Sequence, residues 1–127
     1  MQGRSEERLL WEQTRRVVGC AMEVLNELGH GLLEKPYERA LVFELEDHGI
    51  PCMQQPRYPV AYKGRAVGEF VPDLVVFDRI VVDTKVIGRI TDHEIGQVMN
   101  YLRVTGLDLG VLLNFRHARL EWRRILP

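Results

Sequence analysis

The first third of the chain carries apolar side chains at helical spacing. Over residues 5–28 they recur three or four positions apart, which predicts an amphipathic helix with one buried face. Gly29 follows as a helix stop, because glycine readily adopts the left-handed conformation that closes a helix. A second helix is predicted over residues 34–48, with Pro36 in its first turn, where a missing N–H group costs nothing. The segment Gly49-Ile50-Pro51 ends it.

From Tyr58 onward, the apolar residues alternate with others or form short β-branched runs, which predicts strands. Lys63-Gly64 has the composition of a hairpin turn, and Gly68 is a candidate bulge in the return strand. Asp78-Arg79 joins two β-branched runs. The predicted strands are 58–62, a return strand that starts at 66–70 and continues through 74–77, and then 80–82, 109–115 and 119–126.

A third helix is predicted between these strands. Thr91-Asp92-His93-Glu94 is a capping box sequence, and the helix it opens runs to about Thr105, with Gly106 as its stop. The predicted order is helix, helix, three strands, helix, two strands. This order indicates an α/β (α+β) fold with helices flanking a central mixed β-sheet. Because no linker or repeat interrupts it, residues 1–127 are expected to form a single domain.

Composition and charge narrow the classes of function. The 127 residues include 17 Lys and Arg and 18 Asp and Glu, a formal net charge of −1. Since nucleic-acid-binding domains are usually basic, such binding would need local basic clusters, a bound cation or a partner. No apolar run approaches the roughly 18 residues of a membrane span, and the charged N-terminus is unlike a secretory signal. Cys20 and Cys52 form no metal-binding motif, which favours a reduced, cytoplasmic protein.

The strongest chemical signal is a set of charged residues within apolar strand sequence. Asp83 and Lys85 lie two apart, so both side chains project from one face of a strand. Burying them is unfavourable unless they are paired or bind a metal. Asp73, from the neighbouring strand, would complete a hard oxygen site suited to Mg²⁺ (or Mn²⁺). A cation beside an ammonium group is the chemistry that phosphodiester hydrolysis requires.

Whether this site forms depends on the register of the two strands. A two-residue turn at Asp78-Arg79 would set Asp73 opposite Thr84, and the side chains of Asp73 and Asp83 would then project from opposite faces. A three-residue connection, Phe77-Asp78-Arg79, or a bulge near Pro72 brings Asp73 onto the face of Asp83. We therefore predict one of these two irregularities.

Three further polar residues are candidates for the same site. Gln97 and Tyr101 lie four apart on the predicted third helix and share a face that can reach the strand carboxylates. Each is individually more typical of helix packing than of an active site. Glu34 lies at the start of the second helix, where the helix dipole alone favours an acid, so no catalytic role is needed to explain it.

Much of the chain resembles the GxxExxY protein family. Gly31, Glu34 and Tyr37 reproduce its signature, and the resemblance extends over nearly the whole chain. The segments that carry it are GHGLLEKPYERAL, VAYKGRAVGEFVPDLVV, IVVDTKVIGRIT and QVMNYLRVTGLDLGVLLNF. The family is placed in the PD-(D/E)XK nuclease superfamily, so the resemblance implies a restriction-endonuclease-like core and metal-dependent nuclease activity.

The resemblance also implies roles for single residues. Asp73 and Asp83 would ligate the metal, together with the Thr84 backbone carbonyl and Glu34. Lys85 would polarise the nucleophilic water, and Gln97 would orient the water or the phosphate. The spacing of Gln97 and Tyr101 is that of a Gln-x-x-x-Tyr motif, which is also seen in recombination-type exonucleases. Asp83 departs from the frequent Glu-x-Lys pattern and draws its carboxylate back by one methylene.

Basic residues are scattered along the chain, with one cluster near the C-terminus. They form either a solvated surface or a rim that contacts phosphates at the mouth of the site. Because no segment interleaves aromatic and basic residues, cleavage is expected to be non-specific or directed by structure. The candidate contacts to nucleic acid are Tyr101, Arg89, Arg116 and Arg119.

Two functional hypotheses follow. In the first, the chain is a metal-dependent nuclease that hydrolyses phosphodiester bonds of DNA or RNA, with DNA the expected substrate and with little sequence specificity. In the second, the nuclease fold is a catalytically weak or inactive module that self-associates or binds a partner. The weak net charge and the short chain favour the second hypothesis. Under both, a homo-oligomer, a dimer or larger, is expected.

Overall fold

The chain forms three helices and seven strands, and the computed structural model describes residues 2–127. The helices are α1 (Gln2–Leu28), α2 (Glu34–Asp47) and α3 (Asp92–Thr105). The strands are β1 (Cys52–Gln54), β2 (Tyr58–Tyr62), β3 (Arg65–Phe70), β4 (Leu74–Val76), β5 (Ile80–Lys85), β6 (Leu109–Asn114) and β7 (Glu121–Ile125). In the described residues, no helix is long and apolar enough to cross a membrane.

Five strands form a central mixed sheet in the order β1-β4-β5-β6-β7. Only β5 and β6 run parallel, and α3 forms the crossover between them, as a parallel pair requires. The strands β2 and β3 form a separate antiparallel hairpin. The predicted α/β (α+β) class, with helices flanking a mixed sheet, is confirmed.

The central sheet separates two apolar cores, because successive side chains of a strand point to opposite faces. Val82 and Leu113 pack on one face against α1 and α2, whereas Val81 and Leu112 pack on the other against α3. Strands covered on both faces need nearly continuous apolar sequence, which explains the runs seen in β4, β5 and β6. A charged residue within these strands therefore lies against a core.

The helix boundaries agree with the sequence-based prediction. Thr91 accepts a hydrogen bond from the His93 N–H group, and the Glu94 carboxylate accepts one from the Thr91 N–H group, so the predicted capping box is present. Gly106 closes α3 in the left-handed conformation, with φ of 77°. Gly29 does the same after α1, where its N–H group donates to the Leu25 carbonyl.

The strand count differs from the prediction, because five strands rather than three separate α2 and α3. The predicted return strand is interrupted at Pro72, which has no N–H group to donate to a ladder. As a result β3 pairs with β2 alone, and β4 joins the central sheet. The remaining strand, β1, is a three-residue edge strand beside β4, and its short segment has no alternating pattern that would have predicted it.

The hairpin of β2 and β3 has its turn at the predicted position and a bulge next to the predicted one. Lys63 and Gly64 form its turn with positive φ values of 49° and 80°. The register shifts between Val60 and Ala61, and the extra residue on β3 is Val67, next to the predicted Gly68. The bulge turns the end of β3 toward α3, where its last residues meet the site described below.

Candidate active site

The connection between β4 and β5 decides which residues share a face of the sheet. Val76 pairs with Ile80, so three residues, Phe77-Asp78-Arg79, form the turn. The first two adopt positive φ values of 54° and 60°, which closes the turn without shifting the pairing. If this pairing is continued for three residues from Val76 and Ile80, Asp73 lies opposite Asp83. The predicted three-residue connection is therefore confirmed, and it places both acids on the α3 face of the sheet.

Asp73 and Asp83 join the ends of β4 and β5 through their side chains. The Asp73 N–H group donates to Oδ1 of Asp83 at 2.9 Å. The Thr84 N–H and hydroxyl groups both donate to Oδ2 of Asp73, at 2.8 and 2.9 Å. Within the described residues, Oδ1 of Asp73 and Oδ2 of Asp83 make no hydrogen bond. Each acid thus keeps one oxygen free for a ligand.

A cavity of about 250 Å³ opens over these two acids. Lys85 lines it from the same face of β5, and Gln97 and Tyr101 line it from α3. The Lys85 ammonium group makes no ion pair within 4.0 Å to any residue that the structure describes. The cavity therefore brings together five of the predicted site residues and presents a free ammonium group beside two carboxylates.

Tyr101 has a packing role in the wall of this cavity. Its ring stacks on that of Phe70, with centroids 4.1 Å apart and planes 8° from parallel. This contact joins α3 to the end of β3, whose neighbouring residues Glu69 and Val71 also line the cavity. Gln97, one turn earlier on α3, is exposed, so its amide can reach a ligand in the cavity.

Two glutamates at the start of α2 add negative charge near the pair of aspartates. Burial raises the pKa of the Glu34 carboxyl, and the charge of Asp73 raises it further, whereas Lys85 opposes the shift. Glu34 lies beside the cavity rather than in its lining. Glu38, one turn later, has only 6% of its side chain exposed and contacts the Lys35 ammonium group at 3.3 Å.

Glu38 was not identified from the sequence. A charged residue in the first turns of a helix normally faces water, and the segment EKPYERAL gives no sign that this one is buried. Only the packing of α2 across β5 places it near Asp83. The signal that could have identified it is its spacing from Glu34, four residues earlier on the same helix face.

Asp83 is the residue whose charge is most affected by this environment. Burial raises the pKa of its carboxyl to about 6, and the charges of Asp73 and Glu38 add to the shift. The Asp73 N–H group and Lys85 act in the opposite direction. A buried acid with a raised pKa next to other acids is a common sign of a functional site, because such groups are costly to keep without a ligand.

The charge balance of the cluster fits a divalent cation. When ionised, four carboxylates (Glu34, Glu38, Asp73 and Asp83) face two ammonium groups (Lys35 and Lys85), an excess of two negative charges. The free donors are carboxylate oxygens, the ligands that Mg²⁺ and Mn²⁺ prefer. The residues present therefore suit a hard divalent ion held between β4 and β5.

Tyr37 explains how Glu34 is held beside the site. The Tyr37 hydroxyl group donates to the Gly29 carbonyl at 2.7 Å and accepts from the Leu32 N–H group at 3.1 Å. Its ring is fully buried. Gly31, between the two bonded residues, has φ of 107°, a conformation that favours glycine. The Gly31, Glu34 and Tyr37 signature thus corresponds to a loop fixed by tyrosine at the start of α2.

The predicted basic contacts are divided between two regions. Arg89 and Arg116 are exposed on the loops that follow the parallel strands β5 and β6, at the edge of the sheet where Lys85 lies. The His117 ring contacts the Gly88 carbonyl at 2.7 Å and joins these two loops. Arg119 instead lines a different cavity, beside α1.

Comparisons with known proteins bear on this arrangement. The sequence profile of the PD-(D/E)XK nuclease superfamily matches residues 11–125. A comparison with curated proteins gives no significant match. The chain is similar to the crystal structure of SSO0001, with 16% sequence identity and a TM-score of 0.58 over 73% of this chain and 50% of that one. It thus spans half the length of that protein, and at this identity the likeness shows the fold alone.

The profile match covers most of the chain, including α2, the two aspartates, Lys85 and α3. The mixed sheet with α3 as the crossover between its parallel strands agrees with the core of that superfamily. The chain belongs to the PD-(D/E)XK nuclease superfamily, whose general chemistry is the metal-dependent hydrolysis of phosphodiester bonds.

Proposed function

We propose that this chain is itself an active nuclease that hydrolyses phosphodiester bonds of DNA, with Mg²⁺ or Mn²⁺ as its cofactor and with little sequence specificity. The observation that carries the proposal is the cross-strand pairing of Asp73 with Asp83, with Lys85 on the same face of an open cavity. Each aspartate keeps a free oxygen, and Lys85 keeps a free ammonium group.

Each residue of the site has a role in this proposal. The free oxygens of Asp73 and Asp83 hold the ion, with the Thr84 carbonyl and Glu34 as further ligands. The bound ion supplies a water of lowered pKa and neutralises charge on the phosphate. Lys85 polarises the attacking water and stabilises the negative charge that develops on the phosphoryl oxygens. Gln97 orients the water or the phosphate from α3.

The charge of the cluster supports an order of binding. An excess of two negative charges repels a phosphate, so a divalent ion must bind before the nucleic acid. The net charge of −1 for the whole chain does not oppose this order, because the attraction comes from the ion and from the exposed loops that carry Arg89 and Arg116. These two loops lie at the sheet edge where Lys85 opens to solvent.

The finer assignments rest on the sequence. The Gln97 and Tyr101 spacing, shared with recombination-type exonucleases, supports DNA as the substrate. The Gly31, Glu34 and Tyr37 signature supports membership of the GxxExxY group within the superfamily. The two thiols, neither of which forms a disulfide, support a reducing, cytoplasmic setting.

We also propose that the chain works as a homo-oligomer. Leu33 and Phe43 leave large apolar side chains 81% and 67% exposed, and contact with a second copy of the chain would cover them. Sedimentation of the wild type and of Phe43→Glu over a range of concentrations tests this. A wild type that stays monomeric at every concentration contradicts it.

The nuclease proposal is tested with labelled single- and double-stranded DNA and RNA, in Mg²⁺, in Mn²⁺ and in chelator. The wild type is expected to cleave DNA only with a divalent ion. Lys85→Ala should lower the cleavage rate by about 10²- to 10³-fold, because it removes the group that stabilises charge in the transition state. Arg8→Ala, which removes one positive charge from the exposed start of α1, serves as the matched control and should cleave like the wild type.

Two outcomes contradict the proposal in different ways. Cleavage that persists in Lys85→Ala moves the activity to another site or to a contaminant. No cleavage with any substrate, together with no binding of Mn²⁺ at Asp73 and Asp83, favours the scaffold hypothesis. In that case the fold serves self-association or partner binding alone.

A further inference from the structure

A second group of metal-ligating side chains lies outside the cavity of the aspartates. Cys20 projects from α1, and Glu44 and His48 project from the last turns of α2. One ligand atom from each of the three residues lies within 4.8 Å of the other two. Glu44 and His48 are four residues apart, the spacing that sets two ligands on one face of a helix.

The geometry of this group is close to that of a tetrahedral site. Nδ1 of His48 lies 3.2 Å from a carboxylate oxygen of Glu44, and it donates a hydrogen bond to the Glu44 backbone carbonyl at 2.9 Å. Ligands at about 2.0–2.3 Å from Zn²⁺ are separated from one another by roughly 3.5 Å. The three ligand atoms lie within 4.8 Å of one another, so metal binding requires a rotation of the exposed His48 ring that turns a nitrogen lone pair toward the other two donors.

The surroundings leave room for a fourth ligand. A cavity of about 400 Å³ opens over the three side chains, and Gly19 lines it without adding a side chain. Glu23 lines the same cavity and offers a second carboxylate. Arg16 also lies there, but its guanidinium group is held by the His48 carbonyl at 3.1 Å and stacks over the Phe77 ring. Its positive charge favours the thiolate form of Cys20 by lowering the pKa of that thiol, against the larger effect of burial.

We propose that Cys20, Glu44 and His48 bind one Zn²⁺ ion that joins α1 to α2, with a water molecule as the fourth ligand. Sulfur, nitrogen and oxygen donors in one site are the set that Zn²⁺ accepts and that Mg²⁺ does not. On binding, the Cys20 thiol loses its proton to solvent as the zinc–sulfur bond forms, and His48 binds as neutral imidazole.

Two simpler interpretations explain less of the arrangement. A helical ion pair of Glu44 with His48 and the apolar packing of Cys20 in the core account for the residues separately, but they do not account for the approach of all three ligand atoms to within 4.8 Å. A reactive thiol needs a stabilised thiolate, whereas burial and the neighbouring Glu44 raise the pKa of Cys20. A cation between the three groups satisfies all of them at once.

The site is separate from the aspartate cavity. Glu34 and Glu44 stand at opposite ends of α2, about 15 Å apart along the helix axis at 1.5 Å per residue. A metal bound at Cys20 would therefore hold the two helices together rather than take part in chemistry at Lys85. The inference does not depend on the proposed nuclease activity, since its readouts are metal binding and stability.

Cobalt(II) titration of the chelator-treated, reduced protein tests the proposal. A cobalt–thiolate bond produces a near-ultraviolet charge-transfer band that oxygen and nitrogen ligands do not produce. The wild type should develop this band up to one Co²⁺ per chain, and Zn²⁺ should remove it. Cys20→Ser should abolish the band, whereas the matched control Cys52→Ser should keep it. Asp83→Asn should also keep it, because the band does not report on the other site.

Because Cys20 is buried, loss of the band in Cys20→Ser can also result from misfolding. A second variant at an exposed ligand separates the two causes. His48 is exposed, and His48→Gln should fold normally while lowering the apparent affinity for Co²⁺ at least about tenfold. Zn²⁺ should raise the melting temperature of the wild type and of Asp83→Asn, but not of His48→Gln. Absence of the band in the wild type, its persistence in Cys20→Ser, or equal stabilisation of His48→Gln by Zn²⁺ overturns the proposal.

Discussion

At the scale of single residues, Asp83 is placed at a cost in folding free energy. Its carboxyl is surrounded by other acids in a partly buried position, and Lys85 compensates only in part. Because its pKa rises from 3.8 to about 6 on folding, the folded chain holds a proton more tightly than the unfolded chain does. Asp83 therefore destabilises the metal-free chain progressively as the pH rises from about 4 to about 6, and its contribution stays constant above that range.

Asp83→Asn should remove that loss. The shift of about two pKa units corresponds to up to about 3 kcal/mol, so the metal-free variant should be more stable than the wild type by up to that amount at pH 8. Below pH 4 the two proteins should differ little. Urea unfolding in chelator at pH 4 and pH 8 measures the difference. Asp47→Asn, at the exposed end of α2, is the control, and equal gains for both variants would refute the explanation.

A second polar residue in an unfavourable environment is Asn114, which is fully buried at the end of β6. Its side-chain amide donates to the Ile87 carbonyl at 2.9 Å and to Glu121 at 2.8 Å, and its oxygen accepts from the Ile87 N–H group at 3.1 Å. Glu121 in turn accepts from the Ile90 N–H group at 3.0 Å. These bonds fix the segment between β5 and α3, and so they position Gln97 relative to Lys85.

Asn114→Ala should release this segment. It leaves the partly buried N–H and carbonyl groups of Ile87 without these partners, at a cost of up to about 1–3 kcal/mol each, so we expect about 2 kcal/mol of destabilisation. Hydrogen exchange at residues 86–90 should accelerate more than exchange in α1. The control is Asn100→Ala on the exposed side of α3. Unchanged protection of this segment in Asn114→Ala would exclude the positioning role.

At the scale of elements, α3 lies close to the sheet because β6 has a glycine beneath it. A Cβ atom on Gly110 would stand 2.6 Å from Cγ1 of Val98, a short β-branched side chain that has little freedom to move away. Val98 follows Gln97 directly. Because Gly110 has no side chain, α3 can pack closely on β6, and this determines how near Gln97 and Tyr101 come to the cavity.

Gly110→Ala should push α3 outward. Overpacking of this kind costs about 1–3 kcal/mol, and we also expect weaker nuclease activity because Gln97 moves with the helix. Gly96→Ala is the matched control, since a Cβ there meets nothing within 4 Å and alanine is the better helix former. Chemical denaturation and cleavage assays measure both effects. A Gly110→Ala protein with wild-type stability would show that α3 is not held by this contact.

Some helices and strands of this fold can be predicted from the sequence, and others cannot. The capping box at Thr91 and the stop at Gly106 define α3 because both depend on local chemistry. The register of β4 against β5 was reduced to two alternatives, since a buried face fixes the parity of the pairing. The strand β1 and the burial of Glu38 were missed because each depends on packing between segments distant in sequence. Cys20 with Glu44 and His48 was missed for the same reason.

At the scale of the whole molecule, charge is distributed unevenly around the sheet. The acidic cluster lies on the α3 face near the start of α2, and the arginine-bearing loops lie at the carboxyl edge of β5 and β6. In the proposed function, a polyanion binds where these two regions meet, and a bound divalent ion would link them.

DNA affinity should therefore depend on a divalent ion and on a few arginines. In Ca²⁺, chosen to support binding with little cleavage, affinity should exceed that in chelator. Arg89→Ala or Arg116→Ala should each reduce the dependence of affinity on salt by about one phosphate contact. Arg119→Ala tests whether the contact region extends to α1. Fluorescence anisotropy at several salt concentrations measures these effects, and equal affinity with and without the ion would contradict this order of binding.

One consequence of the hydrogen bonds between β4 and β5 concerns proteins that have lost this chemistry. Asp73 accepts two bonds from Thr84 and donates one to Asp83, so selection for stability alone retains it. Lys85 forms no ion pair with any described residue, so selection for stability retains it only through its longer-range attraction to Glu34 and Asp83. In descendants of this fold, a retained Asp73 is therefore weak evidence of a working enzyme. Lys85 is the position that should be substituted first in proteins that lose the nuclease activity.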